Sequence, residues 1–165
     1  MQVQLTVNNR EEQAAEKTVE VSLIAPDGTK VGETKSALFA FNDGEDEKTT
    51  TVTFDGLSGL LPWTSETPNL YTVEVVQKDG GKEEMAFSTK YGFRHVEIDG
   101  PIVKVNGKRV YFKGANTQDT HPVHGRSIDV PTMLKDVTMM KQANMNMVRT
   151  SHYPRQAKMY AMFDY

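Results

Sequence analysis

Apolar and polar residues alternate in short runs through the first half of the chain, the pattern of strands that bury one face. Val19, Val21 and Leu23 fall on alternate positions, as do Ala37, Phe39 and Phe41, and then Val52 and Phe54. Strands are predicted at residues 3–7, 18–24, 35–41, 49–54, 71–77 and 83–90. Pro26-Asp27-Gly28, Asn42-Asp43-Gly44 and Asp79-Gly80-Gly81 stand between them. These are reversals in which Asp and Asn bond their local backbone and Gly supplies a positive φ. The hydrophilic residues 8–17 read as a connecting loop. Short strands with regular turns predict a β-sandwich over residues 1–96.

The pattern changes near Ile98. Residues 102–105 and 108–112 flank Asn106-Gly107, a hairpin signal because both residues tolerate the positive φ of a type I′ turn. The second arm is expected to run on into a strand through Phe112-Lys113-Gly114-Ala115-Asn116, with a polar loop at 117–128 after it. Met133, Leu134, Val137 and Met140 then recur at helical spacing. Asp129 is placed to cap this helix, Pro131 is tolerated in its first turn and Asn144 can end it. A strand at 146–151 and a helix from Gln156 to the end of the chain complete the series. Strand, helix, strand, helix over residues 97–165 predicts the first two βα units of a truncated (β/α)8 barrel behind a mostly β domain. The chain starts within a strand pattern and stops within a helical one, so it is expected to be an internal piece of a longer protein.

Composition narrows the partners. A net charge of -3 provides no electrostatic footprint for nucleic acid or an anionic membrane, and neither is expected. The absence of cysteine excludes disulfides and thiolate metal sites and leaves the compartment open. Met1 leads into a strand pattern and not into a charged head with an apolar signal core.

The candidate chemistry concentrates at Arg149-Thr150-Ser151-His152-Tyr153-Pro154. Pro154 cannot continue a hydrogen-bonded ladder, so these polar side chains gather at the C-terminal end of the strand before it. In a barrel that end faces the active site.

Residues 146–164 resemble the signature of the family 2 glycoside hydrolases, the β-galactosidase and β-glucuronidase group. They carry Asn146, Val148-Arg149, His152-Tyr153-Pro154, Met159-Tyr160 and Asp164 in that order. Tyr91-Gly92-Phe93-Arg94, Val105-Asn106-Gly107-Lys108, Lys113-Gly114-Ala115-Asn116, His121-Pro122-Val123-His124-Gly125 and Met139-Met140-Lys141-Gln142 extend the likeness upstream. Leu61-Pro62-Trp63, with Glu66, Pro68 and Leu70-Tyr71, resembles the end of the family's immunoglobulin-like domain. The resemblance implies an immunoglobulin-like sandwich followed by the start of the catalytic barrel, in a parent enzyme that cleaves terminal β-galactosides with retention. It assigns substrate contacts to His152, Asn116, Gln118, Asp119 and Arg149. His152 would meet the sugar as the oxocarbenium-like transition state forms, and Arg149 would organise hydrogen bonds around the catalytic carboxylates. Where β-galactosidases of the family often carry Asn-Arg-His-Glu-His, this chain has Thr117, Gln118 and Asp119 at the Arg, first His and Glu. Gln118 can hydrogen-bond sugar hydroxyls but cannot become cationic.

The family's two catalytic glutamates come from later barrel strands, and its jelly-roll domain precedes the sandwich. The 165 residues alone are therefore expected to be inactive and to hold no catalytic residue and no cofactor. The resemblance admits a divalent cation such as Mg²⁺ for the whole enzyme. The expected partner is a β-galactoside or oligosaccharide, and self-association through the exposed surface of the incomplete barrel is a further expectation. The Pro122-Val123-His124-Gly125 run fits β-galactosidases better than β-glucuronidases, which remain the neighbouring alternative.

Competing readings are bland. Asp119, His121 and His124 invite a metal assignment, but the spacing lacks a third well-placed ligand and Pro122 stiffens the loop. His95 reads as structural, Trp63 as sandwich core in preference to a carbohydrate-stacking platform with Tyr71, and the methionines as core filler. A non-catalytic sandwich that binds carbohydrate or protein is the rival class, and glycan binding dependent on Trp63 would distinguish it.

Overall fold

In the computed structural model, which describes residues 1–10 and 13–165, the alternating runs form six strands of one compact unit, Met1–Leu61 with Asn69–Phe93. They are β1 (Gln2–Asn8), β2 (Ala15–Ile24), β3 (Lys35–Phe41), β4 (Glu47–Thr53), β5 (Tyr71–Asp79) and β6 (Lys82–Tyr91). β1 pairs antiparallel with β4, and a second antiparallel sheet has the order β3-β2-β5-β6. The inward positions read from the alternation meet in a single core: Val19, Val21 and Leu23 from β2, Phe39 and Phe41 from β3, and Val52 and Phe54, with Ala37 partly buried against them; Tyr71, Val73 and Val75 from β5 join the same core. Removing these faces from water is the main stabilising contribution, about 1.5–3 kcal/mol for each large side chain fully buried. Gly44 adopts φ 82° in the Asn42-Asp43-Gly44 reversal, a conformation that disfavours any side chain. The loop expected at 8–17 is shorter than that, because β2 already begins at Ala15; Glu11 and Glu12 of that loop lie outside the described residues.

The second unit comprises Pro62–Pro68 and Arg94–Tyr165. It begins with β7 (Val96–Asp99), β8 (Ile102–Val105) and β9 (Lys108–Arg109), an antiparallel sheet of which β7 had no counterpart in the sequence reading. Asn106 and Gly107 turn the β8–β9 hairpin with φ of 51° and 75°. The second arm does not run on into the next strand as expected. β9 ends at Arg109, and β10 (Gly114–Thr117) starts afresh, since it pairs parallel with a different partner, β11 (Met147–Thr150).

Helix α1 (Val130–Gln142) follows β10, and α2 (Ala157–Asp164) follows β11. Asp129 caps α1 by accepting from Thr132 N at 3.0 Å, and Pro131 sits in the first turn. At the other end Asn144 takes φ 58° while Asn144 N donates to Lys141 O and Met145 N to Met140 O. That double bond pattern is a Schellman stop, which satisfies carbonyls the helix would otherwise leave open. Met133 and Met159, from the facing sides of α1 and α2, are buried with Ile128, and Val137, Met140, Met162 and Phe163 pack around them. The methionines read as core filler serve as such at these positions, whereas Met85, Met139 and Met147 are exposed.

Trp63 departs from expectation. It belongs to the second unit and not to the sandwich core; its indole Nε1 donates to Asp164 O at 2.7 Å and Arg94 lies 5.1 Å from its ring. Its polar N–H needs a partner, and a helix-terminal carbonyl provides one. Among the described residues no helix is long and apolar enough to cross a membrane.

Candidate functional site

Two parallel strands side by side present their C-terminal ends together, and the polar residues singled out in the sequence sit there. The parallel register sets Asn116 opposite Arg149 and Thr117 opposite Thr150. Arg149 Nη1 donates to Asn116 Oδ1 at 3.3 Å, so the backbone pairing and one side-chain bond bring two of the expected substrate contacts together. Beyond β11 the chain stays tied to β10, because Ser151 N donates to Thr117 O at 3.1 Å. Ser151 is buried and His152, the next residue, is exposed. Gln118 and Asn116 are exposed as well.

The start of the pairing depends on two residues. Gly114 lies against Met147 so closely that a Cβ there would fall 1.9 Å from the Met147 carbonyl oxygen. Asn146 then staples the approach to β10: its N donates to Lys113 O at 2.9 Å, its Oδ1 accepts from Lys113 N at 2.8 Å, and its Nδ2 donates to Tyr111 O at 2.9 Å. The first residue of the motif therefore fixes strand geometry at the end opposite the candidate site.

Asp119 is placed differently from its neighbours. Its carboxylate pairs with Arg155 Nη1 at 2.5 Å, and its side chain is 15% exposed against 0% for that of Arg155. Asp119 N donates to Tyr153 Oη at 3.2 Å. Arg155 also donates from Nη2 to Thr117 Oγ1 at 2.9 Å and stacks over the Tyr153 ring at 5.2 Å. The sequence reading missed Arg155, for which the local pattern offers no signal, because Thr117 and Asp119 come beside it only through the pairing of β10 with β11.

The loop histidines form a closed turn of their own. His121 N and O both bond Gly125, His121 Nδ1 accepts from the amides of Val123 and His124, and the His121 and His124 rings stack at 4.6 Å. Nδ1 is thus an acceptor, which leaves the proton of a neutral His121 on Nε2. Among the described residues no group of three or more His, Cys, Asp or Glu side chains converges as it would to hold a metal ion. His95 is exposed ahead of β7, with Nε2 3.7 Å from Glu97. A cavity of about 540 Å³ opens elsewhere in the second unit, between Trp63, the two helices and the N-terminal end of β11. None of Asn116, Gln118, Asp119, Arg149 or His152 lines it.

Comparison with known proteins accounts for both patterns. The profile described as glycosyl hydrolases family 2 matches residues 1–94, and that of the glycosyl hydrolases family 2 TIM barrel domain matches residues 96–165. The chain belongs to glycosyl hydrolase family 2. Among curated relatives, beta-galactosidase BgaC of Bifidobacterium adolescentis is 38% identical over 152 residues, which cover 89% of this chain and 13% of that protein. A beta-galactosidase of Clostridium acetobutylicum is 37% identical over 152 residues, 91% of this chain and 16% of the relative. The chain thus spans less than a fifth of the length of these curated relatives. Among solved structures, a Bacteroides uniformis beta-glucuronidase superposes with a TM-score of 0.91 at 23% identity, over 99% of this chain and 20% of that one. The chain is mostly strand, an immunoglobulin-like sandwich followed by the opening elements of a TIM barrel.

Proposed function

We propose that this chain is part of a β-galactosidase that cleaves terminal β-galactosides with retention of configuration. Residues 1–96 would serve as its sandwich domain and 97–165 as the opening of its catalytic barrel. The observation that carries the reading is the gathering of Asn116, Arg149 and His152 at the C-terminal ends of two adjacent parallel strands, in a chain 38% identical to a β-galactosidase. Barrel enzymes draw their substrate contacts from strand ends of this kind. Exposed amide, guanidinium and imidazole groups suit a ligand covered with hydroxyls, since each offers a directed donor.

A retaining glycosidase needs an acid/base and a nucleophilic carboxyl about 5 Å apart. The family resemblance assigns both to later barrel strands, so the residues here orient the sugar and do not break the bond. His152 would strengthen its hydrogen bond as positive charge spreads over the sugar ring, and Arg149 and Asn116 would hold each other in place beside it. The test is hydrolysis of aryl β-galactoside and aryl β-glucuronide by the full-length protein, with the first-formed anomer read by NMR. Preferred cleavage of the galactoside with the β-anomer first is expected, together with no turnover by the 165-residue chain alone. Preference for the glucuronide, or the α-anomer first, would overturn the reading.

A further inference from the structure

Arg155 follows Pro154 in the turn between β11 and α2, and its charged side chain has no solvent exposure. A guanidinium is rarely buried without a structural task, because it surrenders its hydration and regains it only from partners held in fixed places. The partners here come from the segment after β10. Nη2 donates to Thr117 Oγ1 at 2.9 Å, and Nη1 meets Asp119 Oδ1 at 2.5 Å as an ion pair that lacks the alignment of a hydrogen bond. Tyr153 lies beneath the guanidinium at 5.2 Å, and the backbone of residue 155 is held separately, its amide donating to Tyr160 Oη at 3.0 Å. The Asp119 amide is bonded by Tyr153 Oη at 3.2 Å, which fixes the backbone on the far side of Gln118.

Thr117 and Asp119 are thus gripped, and Gln118 between them is exposed. We infer that Arg155 is a positioning residue: it clamps Thr117 and Asp119 and so sets Gln118 at the sugar-facing end of the strands. Asp119 is then the counter-ion of Arg155 and not a sugar ligand. The inference rests on the reading of these strand ends as the sugar site, and it adds to that reading a residue from the next loop. A buried ion pair seldom adds net stability over apolar packing, so its value here lies in the geometry it fixes. The strong contrast between a gripped Thr117 and Asp119 and an ungripped Gln118 is what such a clamp produces.

Arg155→Lys keeps the charge but cannot fork to both partners. In the full-length protein it should lower kcat/KM on an aryl β-galactoside by about tenfold, as a misplaced contact does. In a Gln118→Ala background the same change should cost less than about twofold, because the group being positioned is gone. Equal losses in both backgrounds, or no loss in either, would overturn the clamp. A second readout needs no turnover: amide hydrogen exchange across residues 117–120 should quicken about tenfold in Arg155→Lys if the segment opens locally more often. Unchanged exchange would also overturn it. If Arg155→Lys does not fold, Arg155→Met combined with Asp119→Asn removes the pair without leaving a lone buried charge, and is held to the same two readouts. Failure of the unaltered protein to cleave any β-galactoside would refute the functional reading alone, since the exchange measurement still decides the clamp.

Discussion

Gly114 and Met147 approach so closely that no side chain fits between them: a Cβ on Gly114 would stand 1.9 Å from the Met147 carbonyl oxygen. The obstacle is backbone and cannot swing away. Every residue of the candidate site hangs on the strand pair that this contact begins, because the register from Gly114↔Met147 sets Asn116 opposite Arg149. Gly114→Ala should therefore separate β10 from β11 and cost roughly 2–4 kcal/mol, the range of severe steric substitutions. Chemical denaturation would show a lower midpoint, and limited proteolysis would cut the 94–165 segment first. A stability within about 0.5 kcal/mol of the unaltered chain would show that the strands pair in another way.

Asn146 gives a milder version of the same test. Its side chain bonds both Lys113 N and Tyr111 O, two backbone groups that lead into β10. Asn146→Ala leaves both without those partners and should cost about 1–2 kcal/mol, since each such bond contributes about 0.5–1.5 kcal/mol net. Asn146→Asp keeps the acceptor for Lys113 N and loses the donor to Tyr111 O, so it should fall between the two. Equal midpoints for all three proteins would remove the staple from the account.

The cap of α1 sets a pH dependence. The Thr132 hydroxyl and amide both donate to Asp129, and these bonds hold its carboxyl below the ordinary aspartate value. A carboxyl whose folded pKa is depressed contributes stability that is fully present above its unfolded pKa of about 3.9 and is lost as pH falls through the lower folded value. The fraying of α1 should thus increase below about pH 4 in the unaltered chain. In Asp129→Asn that part of the acid response should be absent. Helix content followed by circular dichroism, or amide exchange at residues 130–133, would read it; identical acid profiles for the two proteins would contradict the cap's role.

Much of this was legible in the chain. Val19, Val21 and Leu23 alternate because one face of β2 is buried and the other is not, and a sandwich core writes that period directly into the sequence. Asp129, Asn106 and Asn144 announced a cap, a hairpin and a helix stop because each conformation favours few residue types. β7 was not legible, since a four-residue strand whose Val96 and Ile98 remain exposed carries no buried face to mark it. Trp63 was misplaced for a different reason. Its surroundings depend on residues 62–68 leaving one unit for the other, and local pattern does not encode such an excursion. Arg155 escaped notice because its burial depends on Asp119 and Thr117, remote in sequence and adjacent only after the parallel strands pair.

We propose that the exposed His152, at the strand end, meets the sugar where charge develops. Steady-state kinetics of His152→Ala in the full-length protein on an aryl β-galactoside test it most directly. A directed donor that strengthens in the transition state should cost about 2–4 kcal/mol when removed, or roughly 10²–10³ in rate, with most of the loss in kcat. A normal kcat with a raised KM would make His152 a ground-state contact and contradict the account.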